Sequence, residues 1–396
     1  MLRILIIHCA GFSDLPSGEL VVAQQEARYL KKYGIDSKLH IVKGSGRSLI
    51  SMLITGLKAY SPWHSYRLMK KMLDEFRPDV VHFHCLFPFF SPLSLCACKV
   101  RNIPVIHTLH NFRWLCVEGA FFRNDRYCDE CLKGSGFKGV ICSCAKSSHL
   151  ISLAIFLNNI FYNKFKLFFP LVDKFIAVSN FVKGKYVKAG FPEGKIIVKY
   201  NTVFSLPESR YLTEETERNG VTFVGRLSKG KGLGIVKDVI KGVDLPFNII
   251  GSGPELEDLR SFCKKNNFSH VIFFGNLPHK DVLEKISKSK CVILPSICAE
   301  ACSLVMLESF FCATPVIASR IGSLEEIISN SHGGILVDPD KPQDFIREIK
   351  NLISSQQRMK ELGEAGRAFF KEYLSPESSI NSLVKIYEDA INQKKN

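Results

Sequence analysis

"VTFVGRLSKGKG", residues 221–232, joins a short apolar run to a turn holding three glycines, one arginine and two lysines. The run reads as a buried strand. The helix-length stretch "LGIVKDVIK" follows the turn, so the unit is strand, glycine turn, helix. The turn is neither G-x-G-x-x-G nor G-x-x-x-x-G-K-[ST], so neither standard phosphate motif applies as written. Its parts still suit an anion. Gly225 and Gly230 allow close approach of backbone. A helix amino terminus offers unpaired N–H groups and a positive dipole end. Arg226 supplies a forked donor and Lys231 a compact charge on a flexible stem. Such a site fits a diphosphate held by the protein's own cations, without the Ser/Thr and acidic partner that would hold magnesium. The alternative for the turn alone is a basic, solvated loop.

The same alternation extends along the chain. Strand-like runs fall at 3–8, 37–42, 80–84, 104–110, 174–179 and 196–201, and again at 221–225, 246–251, 271–275, 291–295, 315–319 and 334–338. Helix-length segments lie between them, among them 18–33, 64–76, 254–266, 279–289, 303–312 and 341–353. Continuous Val, Ile and Phe in the strands is what a parallel sheet covered on both faces produces. The expected fold class is therefore α/β, with doubly wound Rossmann-like units. A chain of 396 residues exceeds one core. The polar, acidic stretch 204–220 is the expected linker between domains at 1–203 and 221–375, with a terminal helix at 376–396. Two such domains, each binding beyond the carboxyl ends of its strands, would face one another across a cleft.

Charge divides at the same place. Residues 1–200 carry 28 Lys and Arg against 13 Asp and Glu, and residues 201–396 carry 25 of each, so the whole formal +15 belongs to the first half. That asymmetry points to an anionic partner for the first half, a membrane surface, a nucleic acid or an acidic polymer, with a solvated basic face that aids solubility as the alternative. The apolar and basic stretches 48–73 and 150–169 fit a bilayer interface, with core packing as the alternative. Neither is an unbroken span of the length a transmembrane helix needs. Fourteen cysteines and an N-terminus that reads as a first strand favour a reducing cytoplasm. Cys116, Cys128, Cys131, Cys142 and Cys144 cluster in sequence, and "CDEC" has a zinc-like spacing. Reduced thiols in a loop are the favoured reading, because the repeated C-x2-C form is absent.

Three further motifs carry chemistry. "PSICAEACSLVMLESF", 295–310, follows a strand and places Glu300 in the loop before a helix that holds Glu308. Eight residues span about 12 Å along a helix, so a glycosidase-like carboxylate pair would depend on loop geometry. Carboxylates accepting hydrogen bonds from sugar hydroxyls are the better reading, against surface glutamates at a helix start. "GSGPELEDL", 251–259, is a second glycine turn from strand to helix. "HTLHN", 107–111, ends a strand with His107 and His110.

Together these stretches resemble glycosyltransferase family 4, the retaining enzymes of the GT-B fold. "VGRLSKGKG", "GSGPE" and the Glu300–Glu308 spacing inside "PSICAEACSLVMLESFFCATPVIAS" carry the likeness. So do "IAVSNFVKGKYVKAGFPEGKIIVKYNTV" and "LPSGEL", the latter with one glycine, Gly18. "HTLHNFRWLC" is similar to a subgroup that builds bacterial surface polysaccharides. The resemblance implies that Arg226 and Lys231 grip the donor diphosphate and that Glu308 holds the ribose hydroxyls. It implies that Glu300 holds hydroxyls of the transferred sugar. The backbone of Ser303, Leu304 and Val305, with the turn at Gly251, would meet phosphate or sugar. His110 would lie beside the reacting carbon, and Gly18 would let acceptor or phosphate approach. It further implies front-face transfer with retention, no metal, a UDP- or GDP-sugar donor, and a lipid-linked glycan acceptor at the inner membrane face. Where relatives have "GFGL" after the first glutamate this chain has "ACSL", and Ser303 tightens the approach there.

Two rivals make different demands. A nucleotide-sugar epimerase on the same fold would act on the donor alone. A nucleic-acid-binding module using the basic half and a zinc knuckle would bind with steep salt dependence and ignore Glu300. The expected partner set contains no nucleic acid. A dinucleotide oxidoreductase lacks its G-x-G-x-x-G turn.

Overall fold

The computed structural model describes residues 1–10, 17–43, 61–86, 90–161, 167–204 and 208–395. Leu15 and Pro16 of the "LPSGEL" loop lie outside the described residues, as do 48–60 and 162–166 of the two apolar stretches and 205–207 of the expected linker.

The strands are β1 (Arg3–Ala10), β2 (Asp36–Lys43), β3 (Val80–Cys85), β4 (Val105–Leu109), β5 (Phe122–Arg123), β6 (Arg126–Tyr127), β7 (Lys174–Ala177), β8 (Ile196–Val198), β9 (Val221–Val224), β10 (Phe247–Ile250), β11 (Val271–Gly275), β12 (Cys291–Leu294), β13 (Val316–Ser319) and β14 (Gly334–Val337). They form a six-stranded sheet in the order β2-β1-β3-β4-β7-β8, a second in the order β11-β10-β9-β12-β13-β14, and the small β5-β6 hairpin. Every pairing in the two large sheets is parallel. β3, β4, β12 and β13 are buried along their whole length, which is why their apolar runs do not alternate.

The chain divides into two compact units. One comprises 1–119, 130–201 and 377–396; the other comprises 120–129 and 202–376. The sequence division into 1–203 and 221–375 differs from this in three places. The hairpin β5-β6 counts with the second unit. The helix Pro376–Lys395, expected as a separate terminal element, counts from Glu377 with the first, where Ile380, Leu383, Tyr387 and Ala390 are fully buried. The expected linker is no free connection. Its Tyr211 packs against Phe311 with ring centroids 5.8 Å apart. Its Arg218 is 3% exposed and donates to Thr314 Oγ1 at 2.6 Å and to the carbonyls of Ser289, Cys312 and Ala313. Both terminal nitrogens of this buried guanidinium are thus paired, while its Nε has no hydrogen-bond partner among the described residues. Among the described residues no helix is long and apolar enough to cross a membrane.

Two glycine turns of the second unit lock backbone against backbone. Gly251 has φ +127°, and a Cβ there would overlap the carbonyl of Gly225. The glycine that the sequence suggested for ligand approach is needed first for this contact. Gly251→Ala should lower stability by about 1–3 kcal/mol through backbone strain and displacement of the neighbouring turn. Gly234→Ala, in the helix Leu233–Gly242 with open space around the added methyl, should raise it by about 0.4–1 kcal/mol. Urea midpoints of the two variants check the contrast; equal shifts would remove the packing argument.

Candidate active site

The second sheet reverses its strand order between β9 and β12. Loops leaving two such neighbours at their carboxyl ends diverge and leave a crevice. One of them is the 225–232 turn; the other is 295–303. Ile297 and Cys298 N–H both donate to the Gly230 carbonyl, at 2.9 and 3.1 Å, which fixes the two loops together. Ala299 N–H donates to Ala120 O at 3.0 Å, and Lys229 lies 3.9 Å from Asp125, so the β5-β6 hairpin abuts the same loops. The Glu300 carbonyl accepts from Ser323 N–H at 3.0 Å, next to Gly322, whose φ is +60°.

This arrangement joins two residues that the sequence assigned separate roles. Lys231 Nζ donates to Glu300 Oε1, and Ser296 Oγ donates to the same oxygen at 2.6 Å. The Lys231 side chain is 31% exposed and that of Glu300 12%. Burial opposes both charges, yet the Glu300 carboxylate raises Lys231 above its usual range. Lys231 and Ser296 in turn hold Glu300 below the usual carboxylate range. Arg226 is exposed and its guanidinium has no partner among the described residues. The helix Leu304–Phe311 begins at Ser303, whose side chain makes no capping bond. The N–H groups of Leu304 and Val305 therefore stay open to a ligand. The helix Leu233–Gly242 also starts uncapped, at Gly232. Glu308, within the first of these helices, is 8% exposed and accepts from His279 Nε2 at 2.9 Å. That hydrogen bond raises the His279 pKa against the opposing effect of burial. Sequence reasoning missed His279, which lies 29 residues from Glu308 and carries no local motif.

The first sheet reverses between β1 and β3, and a register shift falls between Ile7 and His8 at that pairing. The two histidines of "HTLHN" part company here. His107 is buried. Its Nδ1 bonds the Phe83 carbonyl at 3.0 Å, and Trp114 Nε1–H donates to its Nε2 at 3.2 Å. Burial holds its pKa down at about 4, and it is a satisfied core histidine. His110, one residue beyond β4, is half-buried, and its Nε2 lies 2.9 Å from His84 Nδ1. Gly18 opens the helix Gly18–Lys32 behind the N-cap Ser17, whose Oγ accepts from Leu20 N–H at 3.3 Å. Glu26 of that helix sits beside His82 and His84, and the three offer ligand atoms within 4.8 Å of one another. It is the one such group among the described residues. A cation there would displace Lys199, whose Nζ is 2.8 Å from Glu26. It would also have to break into the His82 ring, which is bonded at both nitrogens, to Tyr387 and Thr108. The thiols of Cys116, Cys128, Cys131, Cys142 and Cys144 form no disulfide. Cys128 counts with the second unit and the others with the first.

The Lys231–Glu300 pair has a definite pH signature. A carboxylate with a lowered folded pKa stabilises the fold above its unfolded pKa and loses that contribution as pH falls through the folded value. Lys231, raised, contributes below its unfolded pKa and loses the contribution only as pH rises through the folded one. Glu300→Gln should therefore cost about 1–3 kcal/mol near pH 7 by leaving a half-buried ammonium unpaired. The difference from the parent should shrink below about pH 4.3. Denaturation midpoints from about pH 8 down to about pH 2.5, through the carboxylate range, test this, and a pH-independent difference would contradict the pair.

Comparison with known proteins agrees with this geometry. Residues 208–369 match the family model described as Glycosyl transferases group 1, and residues 50–203 match Glycosyltransferase Family 4. An uncharacterized glycosyltransferase of Methanocaldococcus jannaschii is 28% identical over 82% of this chain and 80% of its own length. The D-rhamnosyltransferase WbpZ of Pseudomonas aeruginosa is 28% identical over 52% of this chain and 58% of its own length. Among solved structures, sucrose-phosphate synthase of Thermosynechococcus elongatus covers 99% of this chain and is itself covered completely, with TM-score 0.71 and 15% identity. HepE of Anabaena, solved in complex with UDP, covers 98%, is also covered completely, and has TM-score 0.67 and 14% identity. The two family models adjoin across most of the chain, the two doubly wound sheets are those of the GT-B fold, and this chain belongs to glycosyltransferase family 4.

Proposed function

We propose that the enzyme transfers a sugar, with retention, from a nucleoside diphosphate donor to a lipid-linked or oligosaccharide acceptor in surface-polysaccharide synthesis. The observation that carries the donor half is the β9–β12 crevice. There an unpartnered Arg226, the Lys231–Glu300 pair and the open helix start at Leu304 stand on loops bonded to each other. Cations and N–H dipoles fixed in advance stabilise the charge that gathers on a departing diphosphate. Glu308, held by His279, accepts from ribose hydroxyls, and Glu300 from hydroxyls of the sugar. The complexes of HepE with UDP and UDP-glucose support a nucleotide-sugar donor. WbpZ and the WaaB and WaaG lipopolysaccharide enzymes support a polysaccharide setting.

Melting in the presence of UDP, GDP, ADP or dTDP tests the donor site. A ligand bound only by the folded chain at a hundredfold excess over Kd adds about 2.7 kcal/mol. One diphosphate should raise the melting temperature by a few degrees. The gain should vanish in Arg226→Ala/Lys231→Ala and be retained in a surface control such as Lys350→Ala. No shift with any nucleotide would end the reading.

The acceptor half rests on the first unit, which carries the positive charge. On the helix His149–Asn159, Leu150 is 80% exposed and Leu157 54%, and Ile141 just before it is 63% exposed. Exposed apolar side chains on a unit of net positive charge suit the inner face of an anionic membrane. Sedimentation with phosphatidylglycerol vesicles should fall several-fold in Leu150→Ser/Leu157→Ser and at high salt. Binding unchanged by both would remove the membrane from the proposal.

A further inference from the structure

The first unit buries more ionisable groups than a sheet core requires, and they are connected. Lys199 Nζ lies 2.8 Å from Glu26 Oε1. Glu26 Oε2 lies 3.2 Å from His84 Nε2. His84 Nδ1 lies 2.9 Å from His110 Nε2. The His84 side chain is wholly buried, and those of Glu26 and Lys199 are 4% and 5% exposed. The His84 and His110 rings lie within 24° of parallel with centroids 5.1 Å apart, the geometry of two imidazoles joined edge to edge through one N–H···N bond. His110 Nδ1 has no hydrogen bond to a described residue.

Protons along this line are not free to choose their places. Glu26 Oε2 and His84 Nε2 face each other at 3.2 Å, and neither makes a well-aligned hydrogen bond to a described residue. A buried carboxylate oxygen needs a donor, and among the described residues the group that faces this one is His84 Nε2. Lys199 already balances the Glu26 charge, so a second cation on His84 would stand uncompensated in the core. A neutral His84 with its proton on Nε2 would meet the carboxylate and turn a lone pair on Nδ1 toward His110. That lone pair calls for a proton on His110 Nε2. The neighbours do not compete: His82 is engaged by Tyr387 and Thr108. Burial and nearby His84 keep His8 down at about 4. Burial likewise pushes His110 itself well below its usual range.

We propose that Glu26 and His84 are positioning residues that set the tautomer of His110. Glu26 holds the Nε2 proton of His84, His84 holds the Nε2 proton of His110, and His110 is left with an acceptor lone pair on Nδ1 for a hydroxyl of the bound sugar. The last step rests on the reading of His110 as a sugar contact; the tautomer does not. Lys199 sets the direction of the chain by fixing which Glu26 oxygen faces it.

A sharp consequence follows for Glu26→Gln. Lys199 still demands an oxygen, so the amide oxygen turns to Lys199 and the NH2 group turns to His84 Nε2. His84 must then carry its proton on Nδ1, and His110 must carry its own on Nδ1. Both imidazoles invert. In Glu26→Gln/Lys199→Met the amide is released and can offer its oxygen to His84, so the original tautomers return. Ring nitrogen spectra of protein labelled with 13C,15N-histidine at pH 7.5 report this directly. The His110 signals are identified by their loss in His110→Asn. The expected result is Nε2–H on His110 in the parent, Nδ1–H in Glu26→Gln and Nε2–H again in the double variant. Transfer from an active sugar donor carrying the nucleotide named by the melting screen should fall at least tenfold in kcat with Glu26→Gln and recover in part in the double variant. Nδ1–H in the parent, or tautomers indifferent to Glu26→Gln, overturns the proposal. Should Glu26→Gln not fold, Nδ1–H in the parent still overturns the proposal, and Glu26→Leu/Lys199→Met, which buries no charge and offers His84 no acceptor, supplies the contrast: His110 that keeps only Nε2–H there overturns it as well. Tautomers that invert while transfer is unchanged uphold the chain of protons and instead remove His110 from the sugar site.

Discussion

Two parallel sheets that each reverse their strand order once set the place of everything functional in this protein. In the second unit the reversal between β9 and β12 sends one glycine turn and one carboxylate loop out from adjacent strand ends. The backbone bonds from Ile297 and Cys298 to the Gly230 carbonyl then make those two loops one surface. Without that coupling, Lys231 and Glu300, 69 residues apart, would be two unrelated surface charges. With it they are a half-buried pair beside an uncapped helix start.

The pair also defines a resting condition for the proposed diphosphate site. A lysine and a glutamate bonded to each other are each less available to a ligand than either alone. Desolvation has already been suffered by both groups, however, and the Ser296 hydroxyl shares the carboxylate. A diphosphate arriving near Lys231 would supply a second anion to a cation that is already partly dry, where Coulomb attraction is stronger than in water. Arg226, exposed and unpartnered among the described residues, is the group from which first contact costs least. Glu300 then has capacity to accept from sugar hydroxyls as Lys231 turns toward phosphate.

Much of the architecture was legible because its physics is local. Strands buried on both faces write themselves as runs of Val, Ile and Phe, and every large-sheet strand falls within a residue or three of its expected limits. The rest failed for identifiable reasons. Phe122–Arg123 and Arg126–Tyr127 are too short to show a period, so nothing in the sequence marks the hairpin. Arg218 sits in an acidic stretch and looks solvated, but its four oxygen partners come from segments 71 to 96 residues away. Glu300 and Glu308 could be singled out from spacing, whereas His279 could not. Glu26 lies on an amphipathic helix 173 residues from Lys199. Only the alternation in "VVHFH", which puts His82 and His84 on one strand face, hinted at a buried polar network.

The two units therefore hold charge in opposite ways, and the difference follows from solvent access. In the second unit Lys231 retains about a third of its exposure, so it can trade Glu300 for a ligand and water can cover the change. In the first unit Glu26, His84 and Lys199 are almost wholly enclosed. Any proton or partner that leaves there must be replaced at once or strand a charge in a low-dielectric core. A network under that constraint cannot adapt to a ligand; it can only hold one arrangement. Such rigidity would be a poor way to bind a flexible diphosphate. It is a good way to keep one imidazole presenting the same nitrogen, turnover after turnover, at the half-buried end of an otherwise sealed chain of hydrogen bonds.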